Sequence, residues 1–170
     1  MKDYFKKSKP IGFTIIELLV VLAIIGLLAS LVLASLRVAK LKALNTRAKA
    51  DLDLLRTAIL SLEGDSAQLP NHLASSPCTE SVASFNLDNN GVTGLFATDG
   101  NFPSWRGPYI SQVPKDPWLR PYLLNKWATC NGQDGCAGIA NGTRVLAIVS
   151  MGQNAVEDNG GDDVIMVLCR

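Results

Sequence analysis

Hydrophobic and polar positions along the chain fall into three regimes. From Phe13 to Leu36 nearly every residue is apolar, and only Glu17 brings a charge into the run. From there Leu41, Leu44, Ala48, Leu52, Leu55, Ile59 and Leu62 recur at steps of three or four, while Lys42, Asn45, Lys49, Asp53 and Arg56 take the other faces. Neither Pro nor Gly interrupts the chain between Gly26 and Gly64, so the pattern predicts one helix from Thr14 to Leu62, stopped by Gly64. A membrane anchor abutting a separate coiled coil is the alternative reading. After Gly64 the chain changes character. Residues 65–144 are rich in Gly, Pro, Asn, Ser and Asp, with turn dipeptides at Asn90-Gly91, Asp99-Gly100, Asn131-Gly132 and Asn141-Gly142. Short β-type runs follow at Val145–Ser150 and Val164–Cys169, with Pro121–Asn125 a weaker third. The economical arrangement is α+β: a small antiparallel sheet packed on the amphipathic half of a long N-terminal helix.

Length and charge narrow the function classes. A chain of 170 residues with 48% hydrophobic content holds one modest domain besides the apolar run. A formal net charge of +1 leaves no large single-sign field, so no nucleic-acid partner is expected. Nor is an enzyme expected. His72 is the only histidine and reads as a turn residue beside Pro70-Asn71, no Ser or Cys sits in a G-x-S-x-G setting, and Gly132, Gly135 and Gly138 lack the strand-loop-helix context of a phosphate cradle. Trp105, Tyr109, Trp118, Tyr122 and Trp127, interleaved with Pro108, Pro114, Pro117 and Pro121, read as an ordered loop whose aromatic rings cover the sheet rather than as a ligand platform.

The apolar run bears on location. At about 1.5 Å per residue, Phe13 to Leu36 is long enough to cross a hydrocarbon core of about 30 Å. Cores of secretion signals are shorter, about 7–15 residues, and end in a small-x-small site of which Ala29-Ser30-Leu31 and Leu33-Ala34-Ser35 are poor versions. Lys2, Lys6, Lys7 and Lys9 favour a cytoplasmic N-terminus and an exported C-terminal domain, against a weaker opposing vote from Arg37, Lys40 and Lys42.

Gly12-Phe13-Thr14-Ile15-Ile16-Glu17 ahead of this run resembles the processing signature of type IV pilin-like proteins. Two further blocks carry the likeness into the pseudopilin branch, most similar to the major pseudopilin of type II secretion systems. Trp105–Asn125, "WRGPYISQVPKDPWLRPYLLN", is similar to its W-x-GPY…P-x-DPW-x-x-PY block, and Ser150–Met166, "SMGQNAVEDNGGDDVIM", resembles its C-terminal calcium loop. The resemblance implies a leader at residues 1–12 cut after Gly12 by a prepilin peptidase, with N-methylation of Phe13. It further implies a transmembrane and filament-core helix over 13–36 and an exported pilin-like domain over 37–170. That domain would comprise helix to about residue 62, a variable loop at 65–104, the Pro/aromatic block at 105–127, a cysteine loop at 128–143, and strands with the acidic loop at 144–170. The implied function is that of a structural subunit of a homo-oligomeric filament that helps export folded proteins, with minor pseudopilins and an inner-membrane assembly platform as partners. It would start in the inner membrane, N-terminus inside, and end in a periplasmic or cell-surface filament. A type IV pilus subunit, major or minor, for adhesion, motility or DNA uptake is the runner-up. A membrane-tethered calcium-binding module that never polymerises is the third reading. The chain departs from the pattern at Ala34, where relatives often carry proline, at Leu119, where glycine is common, and at Asn154-Ala155 in place of Asp-Gly.

Three constellations carry chemistry. A lone carboxylate at Glu17 is unfavourable in lipid, by about 2.5–3.5 kcal/mol or more for a central charge. Processing would put a cationic amine on Phe13, and pairing Glu17 with the Phe13 amine of a staggered neighbour would set register rather than add net stability. Snorkelling of Glu17 to the interface is the plainer alternative. Asn154, Asp158, Asp162 and Asp163, with backbone carbonyls of Ser150 and Met151, form the expected calcium set, against the alternative of a solvated acidic turn. Four cysteines allow three connectivities. Cys130 with Cys136 encloses a short loop and is the first expected bridge, leaving Cys78 with Cys169, while free thiols stay open as an alternative.

Overall fold

The computed structural model describes residues 12–74, 84–132, 136–158 and 161–168; the side chains of residues 34, 126 and 127 are left aside. The chain divides into two compact units, Met1–Lys42 and Ala43–Arg170. One α-helix, α1, runs Ile15–Ser66 and belongs to both. Its continuity agrees with the single-helix reading, but Gly64 is not the stop. The helix passes through it and ends at Ser66, where Ala67 turns left-handed (φ 53) with its N–H on the Glu63 carbonyl at 2.8 Å. A glycine within a helix costs only about 1 kcal/mol. Burial of the neighbouring Ile59 and Leu62 outweighs that.

In the first unit, α1 is buried nowhere along its apolar window, and it is the one helix among the described residues long and apolar enough to cross a membrane. In the second unit the expected stripe is real from Ala48 onward. Ala48, Leu52, Leu55, Ala58, Ile59 and Leu62 are buried, whereas Leu41 is exposed and Leu44 half-buried.

After α1 the strands are β1 (Gln68–Leu69), β2 (Leu73–Ala74), β3 (Phe85–Asn86), β4 (Leu123–Thr129), β5 (Arg144–Ser150) and β6 (Val164–Val167). β1 and β2 pair as a small hairpin around the turn Pro70–His72. There His72 adopts φ 55 and holds Asp99 through Nε2 at 2.9 Å, a turn role consistent with its sequence setting. The main sheet is antiparallel in the order β3-β4-β5-β6, with a register shift in β4 between Asn125 and Ala128. The three expected strands are its centre and one edge. Alternation along β5 sends Leu146 and Ile148 to the cluster containing the α1 stripe, and Val145, Ala147 and Val149 to a second cluster with Cys130, Cys136 and Ile165. Because both faces are covered, β5 reads as an unbroken apolar run. The stretch 65–104, expected to be a variable loop, supplies Leu69, Leu73, Leu87, Leu95 and Phe102 to the helix-side core.

Candidate functional site

The N-terminal end of α1 begins with Gly12 and Phe13 in an exposed, non-helical stretch, Phe13 being 87% exposed. Among the described residues nothing lies within 4 Å of the space a side chain on Gly12 would take. Thr14 then caps the helix. Its N–H and Oγ1 donate to Glu17 Oε2 at 3.0 and 2.9 Å, and the Glu17 N–H donates back to Thr14 Oγ1 at 3.3 Å. This reciprocal arrangement is a capping box, which satisfies helix N–H groups that have no intrahelical partner and sets an acidic group at the positive end of the dipole. Thr14-x-x-Glu17 is its sequence signature, and that signal identifies a role for Glu17 inside its own subunit that an argument from lipid cost alone misses. The expected neighbour contact therefore concerns a carboxylate already oriented by Thr14, four positions after Phe13.

The acidic loop follows β5. Ser150 Oγ donates at 2.9 Å to Oδ2 of Asp116, a buried carboxylate of the DPW block that also accepts the N–H groups of Trp118 (3.0 Å) and Arg120 (2.7 Å). Arg120 Nε lies 3.7 Å from the same Oδ2. Its Nη2 donates to the Gly152 carbonyl. Of the expected calcium ligands, Asp162 Oδ2 accepts the N–H groups of Gln153 and Asn154, the latter at 2.8 Å. Asn154 Oδ1 accepts the N–H of Val156 at 2.7 Å, and Asp163 Oδ2 that of Asp158 at 3.0 Å. Asp163, Asp162 and Asn154 thus each turn a side-chain oxygen toward the loop's own backbone. Among the described residues no three Asp, Glu, His or Cys side chains converge into a metal-ligating group. Calcium requires six to eight oxygens with lone pairs aimed at one point, whereas Asp162, Asp163 and Asn154 each spend an oxygen on a backbone N–H.

Sequence reasoning missed the supports of this loop: Asp116, Arg120, Asn125 and Glu157. Asn125 Nδ2 and Ser84 Oγ both donate to Glu157 Oε1, the latter at 3.3 Å, tying the loop to β4 and to the residue before β3. The only available signal was Asp116 itself, since an aspartate two residues before Trp118 and four before Arg120 has the spacing to cap a turn.

Cys130 and Cys136 are bonded, with Cα atoms 5.6 Å apart. Cys78 and Cys169 lie outside the described residues. Trp105, Tyr109 and Trp118 pack half-buried against the helix-side core and Tyr122 is fully buried, so these aromatics are core. Both tyrosines of the Pro/aromatic block reach the helix. Tyr109 donates to Asp65 and Tyr122 to Asp51, each at 2.9 Å, from positions about four helical turns apart on α1. Burial first, and then the facing carboxylate, raises the proton affinity of both phenols.

Comparison with known proteins agrees at both ends. Residues 8–33 match the family model described as prokaryotic N-terminal methylation motif, and residues 80–167 match that described as type II secretion system (T2SS), protein G. The chain is 34% identical over 123 residues to the type II secretion system core protein G of Aeromonas hydrophila, covering 70% of this chain and 75% of that protein. To the proteins of the same description from Escherichia coli and Vibrio cholerae it is also 34% identical, over 121 and 123 residues, covering 69% of this chain in each case and 72% and 71% of those proteins. No solved structure matches.

Proposed function

Since the chain belongs to the type II secretion system protein G family, we propose that it is the major structural subunit of a secretion pseudopilus, anchored in the inner membrane by the first half of α1 and then packed with copies of itself. The observation that carries this reading is the apolar window of α1. It is long enough to span a bilayer and buried nowhere within the chain, so it needs lipid or sister helices. Prepilin peptidase removes residues 1–12, and Phe13 becomes the methylated N-terminus. The N-terminus faces the cytoplasm in the membrane, and minor pseudopilins and the assembly platform are the partners at the base. In the filament, Glu17, oriented by Thr14, meets the Phe13 amine of a staggered neighbour and so fixes register. A buried pair of this kind serves specificity more than net stability.

Replacement of Glu17 tests the reading. Glu17→Gln in the native host should leave a processed, membrane-inserted protein, seen as a mass beginning at methylated Phe13, while filaments and secretion fall at least about tenfold, a coupling of about 1.4 kcal/mol. Filaments at the wild-type level would overturn the register role. An uncut Met1 in the wild-type protein would overturn the filament reading itself.

A further inference from the structure

The acidic loop contains four carboxylates, Glu157, Asp158, Asp162 and Asp163, and among the described residues no three of them converge into a metal-ligating group. We infer that Arg120 is the resident cation of this loop and holds its mouth closed in place of a bound metal ion. This rests on three features of the second unit.

The first is a single peptide group. The carbonyl of Gly152 accepts Arg120 Nη2, and the N–H of the same peptide, carried by Gln153, donates to Asp162 Oδ2. A guanidinium at one end and a carboxylate at the other polarise that peptide in the same sense, and charge-assisted hydrogen bonds of this kind are about twice as strong as neutral ones. A calcium ion would demand the opposite arrangement, with carbonyl and carboxylate lone pairs turned inward to a common point.

The second is fixation of the cation. Asp116 is 1% exposed, lies beside Arg120 Nε at 3.7 Å and accepts Ser150 Oγ at 2.9 Å, so Arg120 is held by a buried carboxylate locked to the last residue of β5. The Trp118 ring, 5.9 Å from the guanidinium carbon, supports it from the side. Arg is suited to this role because its planar donors serve two acceptors at once.

The third is the tightness of the mouth. Gly152 has φ +57, and a Cβ there would lie 2.2 Å from the Asp162 carbonyl oxygen. The two ends of the loop are in contact at the peptide that Arg120 grips. Ala155 holds φ 65, so the loop turns sharply just after Asn154. With a neutral Asn154 in the loop and a guanidinium at its mouth, the charge balance favours independence from a divalent cation.

The test uses the full chain in detergent micelles, with melting followed by tryptophan fluorescence in millimolar calcium and in EDTA. The wild type should melt within about 1 °C in the two solutions. Arg120→Gln should lower Tm in EDTA by about 2–8 °C, the shift expected for the loss of one charge-assisted contact in a domain of this size. Arg120→Lys, which keeps the charge, should recover part of the loss. A wild-type Tm several degrees lower in EDTA overturns the inference. So does equal loss in Arg120→Lys and Arg120→Gln, which would make the role one of shape rather than charge. The wild-type arm needs no variant to fold. Filament assembly is not read, so failure here is distinct from failure of the pseudopilus reading.

Discussion

In the first half of α1, Leu22, Ile25 and Leu28 each leave more than half of their surface exposed, whereas in the second half Leu52, Leu55, Ile59 and Leu62 leave none. The residue types are the same. What differs is the arrangement of the charged positions around them. Lys49, Asp53 and Arg56 give the second half a polar face and so define a single apolar stripe, which the sheet of the same unit covers. The first half has no polar face beyond Glu17, so no one-sided partner within a soluble domain would satisfy it. One continuous helix thus presents two kinds of surface, one covered inside the chain and one left uncovered by it, and the change is encoded only in where the charges fall.

The largest test of this contrast exchanges one methyl-rich side chain in each half. Leu55→Ala should lose about 2–5 kcal/mol in urea denaturation of the full chain in micelles, because it leaves a cavity in a packed core. Ile25→Ala should stay within about 0.5 kcal/mol of wild type by the same tryptophan readout. Its effect should fall on membrane retention and filament yield instead. Equal losses in both variants would break the comparison.

A smaller effect sharpens the contrast between the two faces of the sheet. The helix covers one face, and the bonded Cys130 and Cys136, with Ile139, pack on the other. Closing a loop of the size this bridge spans is worth about 2 kcal/mol in the chain-entropy account. Cys130→Ser with Cys136→Ser should therefore cost roughly that amount on denaturation, less than Leu55→Ala. A cost above that of Leu55→Ala would make the loop, not the helix, the dominant cover.

The parts legible in the sequence are those written as periodicity. The helix, its buried stripe from Ala48 onward and the two long strands are all visible as spacing, and so is the Cys130–Cys136 bridge, since a short Gly-containing loop brings its ends together; Leu41 and Leu44 share the spacing but are not buried. The helix stop was misread because Gly64 carries a local signal that burial of Ile59 and Leu62 overrides. β3 and the β1–β2 hairpin went unseen because two-residue strands have no period to detect. The core residues of 65–104 were hidden in the same way: Leu69, Leu87, Leu95 and Phe102 are isolated apolar positions among turn residues, buried through long-range contacts. At the acidic loop, composition gave the carboxylates but not their direction. Whether Asp162 faces a metal or the N–H groups of Gln153 and Asn154 depends on Arg120, which lies 32 residues from Gly152 in sequence.

The smallest expected effect lies where the second half of α1 is joined to the Pro/aromatic block by a polar contact. Tyr122 is buried, and its hydroxyl donates to Asp51 at 2.9 Å. Tyr122→Phe removes that one hydrogen bond and should cost about 1 kcal/mol at pH 7. The pH dependence separates this bond from simple packing. Burial, followed by the Asp51 carboxylate, raises the phenol's pKa above its ordinary value, so the folded chain holds this proton more tightly than the unfolded chain does. Stability from Tyr122 is therefore complete below about pH 10, the value for an unperturbed tyrosine, and declines as pH rises beyond it. Phenylalanine has no proton to lose. Tyr109 is raised in the same sense but is present in both proteins, so its contribution cancels in the difference. Urea denaturation of the two chains should show a gap that is constant from neutral pH to about pH 9.5 and narrows above about pH 10. A gap that stays constant across the alkaline range would mean that the hydroxyl carries no protonation-linked stability, and that the helix is held to the block by packing alone.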